Sequence, residues 1–235
     1  MRQDILRVER VEARLVERDW PWAIAEANTI RRFWSEALAA RPKSFDGEVL
    51  IACALDIRGG LCRTDFMRAR YSAFLTWLCT GCPDKSVING FAMAALQGRD
   101  GAFVLGVMGP QTQNAGQIYF AAGTPDASAV MEDGRVDLEG SLMRELLEET
   151  HLLRGEVDLR PGWTIVRDGQ KVAFLRPARL AMTGEEARRT IRERLAREHE
   201  PELSDIALAR GPADIDEARM PGFLKLFLRD AFSSA

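Results

Sequence analysis

Arg144-Glu145-Leu146-Leu147-Glu148-Glu149-Thr150-His151-Leu152 sets three carboxylates at helical spacing beside an arginine. At 3.6 residues per turn, Glu145, Glu148 and Glu149 fall within an arc of roughly 100°. Leu142, Met143, Leu146 and Leu147 are expected on the opposite, packed side. Carboxylates three and four residues apart repel each other by about 0.2–0.5 kcal/mol per pair. A hard cation such as Mg²⁺ or Mn²⁺, which prefers oxygen ligands, offsets that repulsion, so the run reads as a divalent-metal site. The competing reading is a solvated amphipathic helix with an acidic stripe.

The flanks favour the metal site. Asp137 stands at an N-cap position after the turn Glu132-Asp133-Gly134, where its side chain can accept from the first free helix amides. Upstream, residues 117–122 read as a strand, followed by the loop Gly123-Thr124-Pro125-Asp126. The order is strand, glycine loop, capped acidic helix.

That order, with residues 144–152, resembles the signature of the Nudix hydrolases, GX5EX7REUXEEXGU with U aliphatic. Arg144, Glu145, Leu146, Glu148, Glu149 and Leu152 match the second half. His151 stands where the second glycine belongs, Val136 where the first glutamate belongs, and Val130 where the first glycine belongs. Gly123 takes that glycine's place if the loop carries an insertion of seven residues.

The resemblance implies a Nudix-type α/β/α sandwich with a mixed β-sheet. Residues 89–235 would form the hydrolase domain, and residues 1–88 an N-terminal accessory region packed on or continuing the sheet. It implies metal-dependent hydrolysis of a diphosphate linkage in a nucleoside diphosphate conjugate, such as an NDP-sugar or ADP-ribose. Glu145, Glu148 and Glu149 become ligands of Mg²⁺ or Mn²⁺, with the backbone at Gly123 as a further ligand. Glu145 serves as ligand or base. Arg144 is an orienting residue whose usual partner, the first glutamate, is missing, which leaves Asp137, Glu139 or Glu148 to receive it. The extra base of this family often lies in a loop after the signature. Here the acidic cluster Glu198, Glu200 and Glu202 is available, with Glu202 carried forward as catalytic; a charged helix end is its other reading. Family members are often dimers, so a homodimer is expected. The alternative function is a Nudix-fold module that binds a nucleotide ligand without turnover, a reading favoured by Val136 and His151.

Composition sets wider bounds. The 235 residues, 46% hydrophobic and 29% charged, suffice for one enlarged domain or two small ones. A net charge of -3 gives no general attraction for nucleic acid or anionic membrane. No apolar stretch approaches the roughly twenty residues that span a bilayer, and the first residues lack a signal-peptide core, so a cytoplasmic protein is expected. Cys79 and Cys82 form a CxxC pair, but Cys53 and Cys62 are too widely spaced to complete a four-thiolate zinc site. Packed, unoxidised thiols are expected, with Cys53 in a buried strand.

Periodicity supplies the remaining elements. An opening strand is expected over 5–17, a helix over 21–40, strands over 48–56 and 61–70, and a hairpin of 91–97 with 102–108. A second hairpin joins 163–167 to 171–176 through Asp168-Gly169. A charged helix over 184–198, a strand over 206–209 and a helix near 223–232 close the chain. No internal repeat is present. Substrate-binding residues are left unassigned. Trp20, Trp22, Trp34 and Trp77 read as base platforms or as core, and Arg63, Arg68 and Arg70 as phosphate contacts or as solvated surface.

Overall fold

The computed structural model describes residues 3–42 and 44–233 as a mixed α/β protein. Its strands are β1 (Gln3–Val8), β2 (Arg10–Leu15), β3 (Glu48–Arg58), β4 (Leu61–Arg70), β5 (Asn89–Gln97), β6 (Phe103–Met108), β7 (Ile118–Tyr119), β8 (Ala122–Gly123), β9 (Val157–Leu159), β10 (Trp163–Asp168), β11 (Lys171–Leu180) and β12 (Leu203–Ala209). Its helices are α1 (Pro21–Ala25), α2 (Ala27–Ala40), α3 (Tyr71–Cys79), α4 (Leu138–Thr150), α5 (Gly184–Leu195) and α6 (Gly222–Ser233).

A large mixed sheet runs β1-β10-β11-β5-β6-β12, with β7, β8 and β9 paired at its sides, and a separate sheet runs β2-β4-β3. The parallel pair β11–β5 lies at the centre, where β5 is buried at every position but its last. A strand buried throughout must be covered on both faces. Phe91 meets Phe223 of α6, whereas a side chain at Gly90 would point at Ala52 and Phe66 of the small sheet. Helix α6 thus covers one face, and the small sheet the other, where Leu50, Ala52, Cys62 and Phe66 join the main core. The small sheet's opposite face, with Ile51, Met67 and Ala69, forms a second core with Trp20, Ile30, Phe74 and Trp77. Helix α4 packs against β5 and β8.

Several expectations need correction. The opening segment is two strands: β1 pairs with β10 in the large sheet and β2 with β4 in the small one, the chain changing sheets at Glu9. The mixed faces of residues 5–17 reflect those two environments. The first helix breaks at Glu26 into α1 and α2. The strand over 117–122 is split, because β7 pairs antiparallel with β6 and β8 antiparallel with β5. Since β5 and β6 themselves run oppositely, the chain must reverse between those pairings, at Phe120 and Ala121. Gly123 therefore ends a strand. Cys53 is only half-buried, because β3 begins to alternate beyond Ala52. The four cysteines are free thiols, and burial pushes Cys62 up to about 12. Among the described residues, no helix is long and apolar enough to cross a membrane.

Candidate functional site

Helix α4 is fixed at both ends. The Gly140 amide donates to Asp137 Oδ1 at 2.8 Å, which satisfies a free first-turn donor. At the other end His151 adopts φ 57° and ψ 18°, and its amide donates to Leu147 O at 2.8 Å. This left-handed closure is why glycine suits the position, since a side chain there carries a steric cost. The His151 imidazole meets Glu198, and Arg194 Nη1 donates to His151 O at 2.6 Å while its guanidinium forks onto Glu156.

The expected split between a packed face and an acidic face does not hold. Glu149 lies on the buried arc with Leu138, Leu142 and Leu146 and is only 4% exposed, whereas Leu147 is 41% exposed. The arc is turned toward β8. Glu149 Oε1 accepts from the Ala122 amide at 3.1 Å, and its Oε2 is buried with no hydrogen-bond partner. Glu145 packs on Gly123 so closely that a Cβ there would lie 2.1 Å from Glu145 Oε1. Glu148 is exposed on the outer side of the group.

Glu202, just before β12, stands within electrostatic reach of Glu145, Glu148 and Glu149. Burial, then Glu148, pushes Glu145 up to about 7. Burial likewise pushes Glu149 up to about 8, against the Ala122 amide and with help from Glu202 and Glu145. Desolvation and then Glu148 and Glu198 raise Glu202. Burial is the leading cause in all three, and repulsion among the neighbouring carboxylates adds to it. Tyr119, buried on β7, accepts from Asn114 Nδ2 at 2.9 Å, and its hydroxyl is raised by burial and by Glu149 and Glu202.

Arg144 does not turn to Asp137, Glu139 or Glu148. Its Nη2 lies 3.7 Å from Asp126 Oδ1, 4.0 Å from Glu145 Oε1 and 3.5 Å from Ser141 Oγ. Glu139 instead faces Arg154 and Arg176, and Val136, in the first glutamate's place, is buried in the core. Sequence reading passed over Asp126 and Tyr119. The available signal for Asp126 was an arginine in want of an acid beside a long loop that carries several.

A hard divalent cation suits this chemistry. The donors are all oxygens, Glu145 and Glu149 are carboxylates held out of water beside further carboxylates, and the Glu149 Oε2 is orphaned. Among the described residues, no three His, Cys, Asp or Glu side chains are gathered closely enough to enclose an ion by themselves. The group is an open acidic wall.

The tryptophans stand elsewhere. Trp20 and Trp77 are buried in the second core, their Nε1 atoms donating to Asp84. Trp20 and Trp34 line a cavity of about 750 Å³ with Arg68 and Arg70. Arg63 lines another, of about 960 Å³, with Trp163 and Arg176 beside the first turn of α4. Neither cavity includes Glu145, Glu148, Glu149 or Glu202, although the larger one reaches Glu139 in the first turn of α4.

Neither protein-family descriptions nor curated proteins match this sequence. Among solved structures, the chain is similar to RenU, a Nudix hydrolase from M. smegmatis, at 15% identity and a TM-score of 0.40, over 62% of this chain and 86% of that one. It is similar to a MutT protein from Methanosarcina mazei Go1 at 16% identity and a TM-score of 0.36, over 63% and 94%. A third likeness is to the Bacillus subtilis pyrophosphohydrolase BsRppH, at 13% identity and a TM-score of 0.35, over 62% and 82%.

Proposed function

We propose that the chain is a Nudix-type pyrophosphohydrolase acting on a nucleoside diphosphate conjugate. The reading is carried by the partnerless, buried Glu149 Oε2 beside a Glu145 carboxylate seated on Gly123, at the matching positions of the signature. Glu145, Glu148 and Glu149, with the backbone at Gly123, would hold Mg²⁺ or Mn²⁺, which when bound neutralises phosphate oxygens and acidifies water. Glu202, raised by desolvation and by its acidic neighbours, suits a general base. Water oxygen attacks phosphorus, its proton passes to Glu202, and the anhydride P–O bond breaks to give two phosphate products. Arg144 orients Glu145. Residues 89–235 carry this site, and residues 1–88 serve as its accessory region.

The test is product release from NDP-sugars, ADP-ribose, dinucleoside polyphosphates, coenzyme A and nucleoside triphosphates with Mg²⁺ or Mn²⁺. Turnover that EDTA removes, and that Glu148→Gln lowers by 100-fold or more, is expected. No turnover on any member, with the same nucleotides still raising the melting temperature, would replace the hydrolase with a binding module.

A further inference from the structure

The chain departs from the signature it resembles in two linked ways, a lengthened loop between Gly123 and α4 and a valine in place of the first glutamate. It also carries a three-stranded sheet outside the main one. The geometry joins these three features.

The long loop is tied to the small sheet along its length. The Leu50 amide donates to Pro125 O at 2.7 Å, and Asp126 bridges to Val49, both at the start of β3. Farther on, the Leu15 amide donates to Gly134 O at 2.8 Å and the Val136 amide to Ala13 O at 2.9 Å, both on β2. Between these anchors Asp126 opens a short 3-10 turn (Ala127–Ala129), its Oδ1 accepting from the Ser128 amide at 2.8 Å. That oxygen also faces Arg144 Nη2. The same Nη2 donates to Ser141 Oγ at 3.5 Å and lies 4.0 Å from Glu145 Oε1, so one guanidinium nitrogen is shared among Ser141, Asp126 and Glu145. Val136 is itself committed to the core at 5% exposure and offers nothing to a cation.

We infer that Asp126 is a positioning residue that replaces the missing first glutamate, holding Arg144 beside Glu145, and that the small sheet anchors the loop that presents it. The inference rests on the reading of α4 as the metal-binding helix. Asp126 is about half exposed and its contact with Arg144 is long, so the pair contributes little to stability. Its role is to fix where the Glu145 carboxylate stands.

A double-mutant cycle on the full chain tests this, using Asp126→Asn, Arg144→Gln and the pair. Mn²⁺ affinity is read by electron paramagnetic resonance, and kcat and KM on whichever substrate the panel yields. Each single change is expected to weaken Mn²⁺ binding and lower kcat about 10-fold with KM little changed, and the double variant to lose no more than either single. Asp126→Glu should recover part of the loss. Asp133→Asn, in the same loop but paired with Arg135, should behave as the parent protein. A role confined to the 3-10 turn predicts additive losses that follow melting temperature, and that result overturns the inference. Unchanged Mn²⁺ affinity and kcat in Asp126→Asn overturns it too, while leaving the hydrolase intact. Coupled losses of Mn²⁺ affinity in a protein that hydrolyses nothing on the panel would uphold the positioning role and sink the hydrolase.

Discussion

At Gly123 the want of a side chain serves the neighbouring carboxylate more than the backbone. A methyl group there would collide with the far end of Glu145, a flexible side chain that can swing aside cheaply. Gly123→Ala is therefore expected to cut turnover and Mn²⁺ affinity by 10-fold or more while melting shifts by under about 3 °C, near 1 kcal/mol for a chain of this size. A melting loss of 10 °C or more would mark the glycine as structural instead. His151 makes the opposite case. A non-glycine residue in the left-handed region costs about 1–2 kcal/mol, offset in part by the contact with Glu198. His151→Gly should raise the melting temperature by about 2 °C with kcat unchanged; a large, pH-dependent fall in kcat would give the imidazole a chemical role. The helix glutamates and Glu202 were legible as residues, because spacing and acidity are written in the sequence. Asp126 was not, since its meeting with Arg144 depends on a loop path set by hydrogen bonds to β2 and β3.

Helices α4 and α5 are joined by Arg194, which caps the end of α4 through His151 O and forks onto Glu156. The Arg194 hydrogen bonds lower Glu156 to about 2, below its ordinary 4.5. A lowered carboxylate stabilises the fold above its unfolded pKa, and the benefit is lost as pH falls from about 4.5 toward 2. The side chains are a quarter exposed, so solvent screening limits the pair to about 1–2 kcal/mol. Glu156→Gln should thus lower stability at pH 7 and converge with the parent by pH 2, as urea melts at both pH values will show. A constant gap across that range would assign the loss to packing. Elements with strong local signals were readable: the hairpin through Asp168-Gly169, the capped α4 and the amphipathic α6. The division of β1 from β2 and of β7 from β8 was not, because each strand's partner lies far along the chain.

At the scale of the whole molecule, the small sheet contributes Leu50, Ala52, Cys62 and Phe66 to the same core as the large one, and β1 completes the large sheet. Residues 89–235 produced alone would leave that apolar face bare. The shortened chain is expected to bind a hydrophobic dye and to lose cooperative melting, whereas the full chain melts in a single transition. A stable, cooperatively melting fragment would show that residues 1–88 merely rest on the remainder of the fold. The pairing of β1 with β10 has a further consequence for the chain as it is made. Gln3 must wait for Asp168 to emerge from the ribosome. At about 5–20 residues per second this delay is on the order of ten seconds or more. During it β1 lacks the one strand of the large sheet that accepts its amides, so the edge of that sheet closes only late in synthesis.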